Sequence, residues 1–239
     1  YATLEKAAAR GTFNAGDVLH VSGTIKVNAL TVNAHLAAGA TIVGEDPTKD
    51  GFDAQGKCGI LCFNNSRLIL KNLFFKNAKT GLVDGETWSG GSVITGRPLG
   101  LEIDNCIFEN NVTDCNNKNK PSGAIYVGGT KANTYDIYLK VANSKFIGNK
   151  ANVNGGAICV ADNVPVEITN CVFKDNVSED NGGALYVKNA KSLSVKQCAF
   201  ISNKALGTSS TSKCGGAVDI QLNEANNDLA LESYTFQGC

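Results

Sequence analysis

A chain of 239 residues holds one large domain or two small ones, and 43% apolar residues suffice to build a core. Its 22 basic and 22 acidic side chains cancel, so no net field draws it to nucleic acid or to an anionic membrane surface. With 26 Gly against 4 Pro and many Asn, the composition favours a chain of tight corners over a helical bundle. No apolar run approaches the roughly 18 residues that would span a bilayer. The chain starts at Tyr1 and contains no Met, which reads as a processed or excised segment.

In chain order, the first 60 residues read as a cap with the first coils. Leu4–Arg10 is a short helical stretch, and residues 16–25 and 40–44 are early strands. From residue 68 onward the chain repeats itself. The segments 101–111, 139–149, 166–176, 193–203 and 229–239 align without a gap as apolar-x-apolar-x-polar-x-x-Phe-x-x-Asn, with Cys239 in the last Asn position. Between them stand Gly155-Gly-Ala-Ile, Gly182-Gly-Ala-Leu and Gly215-Gly-Ala-Val, with Ser122-Gly-Ala-Ile as a variant, and a weaker copy precedes them at Leu68–Asn77 and 90–95. The phenylalanines Phe75, Phe108, Phe146, Phe173, Phe200 and Phe236 follow at intervals of 33, 38, 27, 27 and 36 residues. A unit near 27 residues therefore carries insertions of varying length, and such a period marks a solenoid.

Each unit contains three short strands by its period-two pattern, so the expected fold is all-β: a right-handed parallel β-helix with three strands per coil and a short N-terminal capping helix. One domain covers residues 1–239, in eight or nine coils. The first strand points Leu101 and Ile103 inward, with Glu102, Glu167 and Glu232 sharing an outward column with Lys140 and Ser194. In the second, the Cys171 and Phe173 positions point inward. In the third, Ile158 and Val160 point inward, while Ala157, Cys159, Tyr126, Tyr186 and Asp219 face out. The ladder positions Asn111, Asn149, Asn176 and Asn203 are corners whose amides hydrogen-bond from coil to coil.

Nine cysteines favour an oxidising compartment, and the odd count leaves at least one outside any intrachain pair. Cys171 and Cys198 share one inward position on adjacent coils, either as a disulfide or as buried thiols. No spacing makes a metal signature, and no cofactor is indicated. Three sequons occur, at Asn64, Asn111 and Asn176. Two fall on ladder positions, so Asn64 is the acceptor expected in a eukaryotic secretory setting.

The alternating Gly-Gly-Ala-Ile/Leu and Phe-x-x-Asn tetrads of residues 68–239 resemble the polymorphic outer membrane protein repeats of chlamydial autotransporters, with a pectin-lyase-like β-helix. The resemblance implies a passenger segment exposed at the cell surface, extracellular in location, with adhesion or self-association as its role. Ser122, Asp219 and Cys239 depart from the tetrads, and the family's C-terminal transporter barrel is absent from these residues.

The implied partners are a surface component of a host or neighbouring cell, an extracellular polysaccharide, or other copies of the chain. Trp88, in an inserted segment, and the outward Tyr126 and Tyr186 are the candidate binding aromatics, since such rings stack on sugars. The alternative is a carbohydrate-binding or polysaccharide-degrading β-helix; for degradation, Arg10, Arg67 and Arg97 lie on separate coils and no carboxylate cluster accompanies them. No catalytic residue is assigned.

Overall fold

The computed structural model describes residues 16–28, 31–32, 39–64, 67–80, 91–97, 100–114, 123–128, 137–207, 215–221, 229–232 and 235–239. Residues 139–161 show one coil. Leu139–Ala142, Lys145–Ile147, Lys150–Ala151 and Ile158–Ala161 are four short strands. Each pairs in parallel with its equivalent in the next coil: Leu139 with Val166, Phe146 with Phe173, Lys150 with Val177 and Ile158 with Leu185. Repetition produces four parallel sheets. The leading sheet runs from Val18–His20 to Leu229–Glu232 and the Phe sheet from Thr24–Lys26 to Thr235–Gln237, with eight strands each. The short sheet has five strands, from Lys79–Thr80 to Lys204–Ala205, and the Gly-Ala sheet seven, from Thr31–Val32 to Val218–Gln221.

The three-strand coil expected from the sequence is thus corrected to four. The extra strand is the residue pair following each ladder Asn, too short to show a period-two pattern. Among the described residues there is no helix, and the helix expected at Leu4–Arg10 lies outside them. The pairing also corrects one column: Glu232 sits opposite Lys196, whereas the Glu102 column continues through Lys140, Glu167 and Ser194 to Ala230.

Side chains explain why the coils stack in register. The rings of Phe52, Phe75, Phe108, Phe146, Phe173, Phe200 and Phe236 form one column with centroids 4.8–5.5 Å apart. All but Phe236 are fully buried, each contributing about 1.5–3 kcal/mol by removal from water. A one-residue slip would expose the whole column, so the ring stack fixes register.

Beside it runs the amide ladder. The Asn149 side-chain N–H groups donate to Phe108 O at 3.0 Å and to Asn176 Oδ1 at 2.9 Å, and Asn176 repeats the pattern toward Phe146 O and Asn203 Oδ1. Asn111 starts the ladder, accepting the Ala78 N–H at 2.9 Å. Every donor and acceptor of these buried amides is used.

The corners account for the abundance of Asn. Asn72, Asn105, Asn143, Asn170 and Gln197 turn the chain from the leading sheet to the Phe sheet with φ of 50–54°. Asn77, Asn110, Gly148, Asp175 and Ser202 turn it from the Phe sheet to the short sheet with φ of 53–63°. Asn tolerates this left-handed region better than other residues with a Cβ. An exposed second ladder joins the first set, with Asn105 Nδ2 donating to Asn72 Oδ1 at 2.9 Å and Asn170 Nδ2 to Asn143 Oδ1 at 2.8 Å. In the early coils Asp50 serves instead, its carboxylate accepting the backbone N–H groups of Gly23, Glu45 and Asp46 at 2.7–3.0 Å. Those bonds hold its carboxyl below the usual range.

Candidate functional site

Variation in coil length is confined to one side of the stack. From Arg67 onward, every connection from the leading sheet to the Phe sheet is a two-residue corner such as Asn143–Ser144. Those from the Phe sheet to the short sheet are also two residues, as at Gly148–Asn149. The connections entering the Gly-Ala sheet range from Ala151→Ile158 to Thr80→Ile94, and those leaving it from Asn64→Arg67 to Gly128→Leu139. Insertions therefore flank the Gly-Ala sheet on both edges and leave the other corners uniform. Connections that vary on a rigid frame are where recognition chemistry concentrates. Trp88 belongs to the segment joining Thr80 to Ile94 and lies outside the described residues.

Between those two rows of connections lies the outer face of the Gly-Ala sheet. Pairing stacks Tyr126, Cys159, Tyr186 and Asp219 in one column. The alternation is as the sequence suggests, but the exposure is not. Cys159 and Ala157 are fully buried, Tyr186 is 6% exposed and Asp219 7%, while Tyr126 is partly exposed. The Tyr186 hydroxyl donates to Gln221 Oε1 at 3.3 Å, and the Gln221 amide donates to Asp219 Oδ2 at 3.5 Å. Burial, then the neighbouring Cys159 and Asp219, pushes the Tyr186 phenol up to about 12. Burial also raises the Asp219 carboxyl, opposed by its bond from Gln221. Two rings, a thiol and a carboxylate thus form a largely desolvated face that can hydrogen-bond but is not an open aromatic platform.

The remaining candidates divide between structure and surface. Asn111 and Asn176 are fully buried, their side-chain nitrogens committed to the ladder, so neither can carry a glycan. Asn64 ends the strand Leu61–Asn64 opposite Arg97. Cys106, Cys171 and Cys198 are buried thiols. No disulfide joins Cys171 to Cys198. Each Sγ instead donates to a carbonyl of its own coil, at 3.2 Å to Thr169 O and Lys196 O, because parallel side chains on stacked rungs point alongside each other. The Cys171 thiol is held protonated by its contact with Cys198 and by burial. Among the described residues, no three or more His, Cys, Asp or Glu side chains gather as a metal site would require.

Two features had weak signals in the sequence. Phe52 extends the ring column by one coil, but the residue three positions on is Gln55 and breaks the tetrad. Tyr138 precedes the aligned strand Leu139–Ala142, so the repeat does not mark it, yet its ring crosses Gly100 on the preceding coil.

Comparison with known proteins matches the same tetrads. Residues 143–161 and 170–188 match the Chlamydia polymorphic membrane protein repeat. These two segments are similar to that repeat. Each match spans an Asn corner, a Phe-x-x-Asn strand pair and a Gly-Gly-Ala-Ile/Leu strand, the units that stack here into parallel sheets. No curated protein and no solved structure matches the chain.

Proposed function

We propose that this chain is an extracellular, surface-exposed β-helical scaffold whose role is adhesion, holding recognition segments along the two edges of the Gly-Ala sheet. The observation that carries the reading is the division of the corners: two are uniform through the repeat, and two accept insertions of many lengths. Ladders of Phe and Asn make the frame indifferent to those insertions, because every rung is held by the coils on either side. The Chlamydia polymorphic membrane protein repeat supports a surface location. Partners of three kinds fit: a surface component of another cell, an extracellular polysaccharide, or a second copy of the chain.

Coating beads with the purified chain and scoring their attachment to cells and to one another tests this. Replacing residues 129–136 or 208–214 with the short connections of neighbouring coils should reduce attachment and leave the β-type circular dichroism intact. Attachment indifferent to both replacements would overturn the assignment of recognition to these edges.

A further inference from the structure

Tyr138 occupies an unusual place beside the variable edge. It stands at the end of the connection from Gly128 to Leu139, and its ring lies back across the preceding coil at Gly100, where the connection from Arg97 ends. Any Cβ at position 100 would come within 2.6 Å of the ring's Cε1 and Cζ, so glycine there is what makes room for the aromatic. The hydroxyl donates to Glu102 Oε1 at 2.6 Å, which fixes the ring across the sheet. Burial and that carboxylate raise the phenol, keeping it the donor.

Charged groups surround the ring without neutralising one another directly. The Arg67 guanidinium carbon lies 6.0 Å from the ring centroid and the Lys140 ammonium 5.6 Å. Both side chains are exposed, and neither forms an ion pair among the described residues. Pairing places Lys140 between Glu102 and Glu167 on the adjacent rungs. Two cations and two carboxylates cancel, so the patch offers donors and acceptors around an aromatic without a net field.

We propose that Tyr138, Arg67, Glu102 and Lys140 form a binding platform for an uncharged, hydroxyl-rich saccharide. Arg67 and Lys140 lie over the ring on long exposed side chains; with them swung aside, a sugar lays its C–H face against the aromatic while its hydroxyls accept from the two cations and donate to Glu102. A polyanion gains little here, because Glu102 and Glu167 oppose whatever Arg67 and Lys140 attract. The proposal rests on the adhesive reading and gives it one ligand class at one place.

Native electrophoresis of the full chain through gels containing mannan, dextran, xylan or dextran sulfate provides the test. Retardation is expected in at least one neutral polymer, persisting at raised salt. Tyr138→Ala, Gly100→Leu and Arg67→Gln should each weaken it, the first two by about tenfold or more. Arg67 is exposed, so its variant reports binding even if the others disturb the coil. Retardation by no neutral polymer, retardation by dextran sulfate alone, or retention unaffected by Arg67→Gln and Tyr138→Ala would each overturn the site. Bead attachment separates the two readings: wild-type beads that attach while the chain is retarded by no neutral polymer would leave adhesion standing and remove the saccharide site. Wild-type beads that attach to nothing would remove adhesion, whatever the gels show.

Discussion

Oδ1 of Asn176 accepts two bonds from Asn149, one from its backbone N–H at 3.0 Å and one from its side-chain amide at 2.9 Å. Removing one rung therefore orphans groups on two coils. Asn176→Ala leaves the Asn149 donors, Phe146 O and Asn203 Oδ1 short of partners. The expected loss is about 2–4 kcal/mol, read from urea unfolding midpoints. Asn143→Ala, on the exposed ladder where water can substitute, should cost under about 1 kcal/mol by the same measurement.

The ring column gives a second contrast. Phe173 is fully buried between Phe146 and Phe200, whereas Phe236 stacks on Phe200 and is 50% exposed. Phe173→Ala should cost about 3–5 kcal/mol through lost burial and the cavity left behind. Phe236→Ala should cost less than half of that. Equal losses in thermal or urea unfolding would contradict the placement of Phe236 on the outermost rung.

Much of this was legible because identical coils repeat identical demands. A buried column needs Phe, a buried corner needs an amide that both donates and accepts, and a left-handed corner favours Asn or Gly. The tetrads therefore state the frame directly. What escaped was whatever the repeat does not encode. A two-residue strand such as Lys150–Ala151 has no alternation to detect. Glu232 stands opposite Lys196, as the gapless alignment of 229–239 with 193–203 already requires, so its place in the Glu102 column fails on register and not on hidden structure. Outward alternation marked Tyr186 and Asp219 as facing away from the core but could not reveal that their face is covered.

Two carboxylates should shift stability with pH in opposite directions. Asp50 is lowered by three backbone N–H bonds, so its stabilising contribution is present above the ordinary Asp value of 3.8 and fades as pH falls through the folded value. Asp219 is raised by burial, so the folded chain holds its proton more tightly than the unfolded one. Its contribution is therefore most favourable below 3.8 and is lost as pH rises from there through the folded value. Asp50→Asn should destabilise the chain at neutral pH, and Asp219→Asn should stabilise it there. Melting temperatures at pH 3 and pH 7 check both signs.

The cysteines yield a labelling prediction. Cys239 is exposed, while Cys106, Cys171 and Cys198 are buried, and burial lifts the Cys106 thiol to about 12. A maleimide should modify Cys239 in the native chain without prior reduction, and the other three only after unfolding. Peptide mass spectrometry reads each site separately. A Cys171–Cys198 disulfide peptide from the native, unreduced chain would contradict the buried-thiol assignment.

The ring column, the amide ladder and the variable edges all require coils stacked in parallel, one rung apart, with equivalent residues in contact. Nuclear Overhauser spectroscopy on the chain with protonated Phe rings in a deuterated background tests this most directly. The expected pattern is an unbroken series of ring-to-ring cross-peaks, Phe75–Phe108, Phe108–Phe146, Phe146–Phe173 and Phe173–Phe200, matching centroid separations of 4.8–5.0 Å. No direct transfer should skip a coil, as from Phe108 to Phe173. Absence of the Phe146–Phe173 peak, or a coil-skipping peak of equal strength, would contradict the parallel stack.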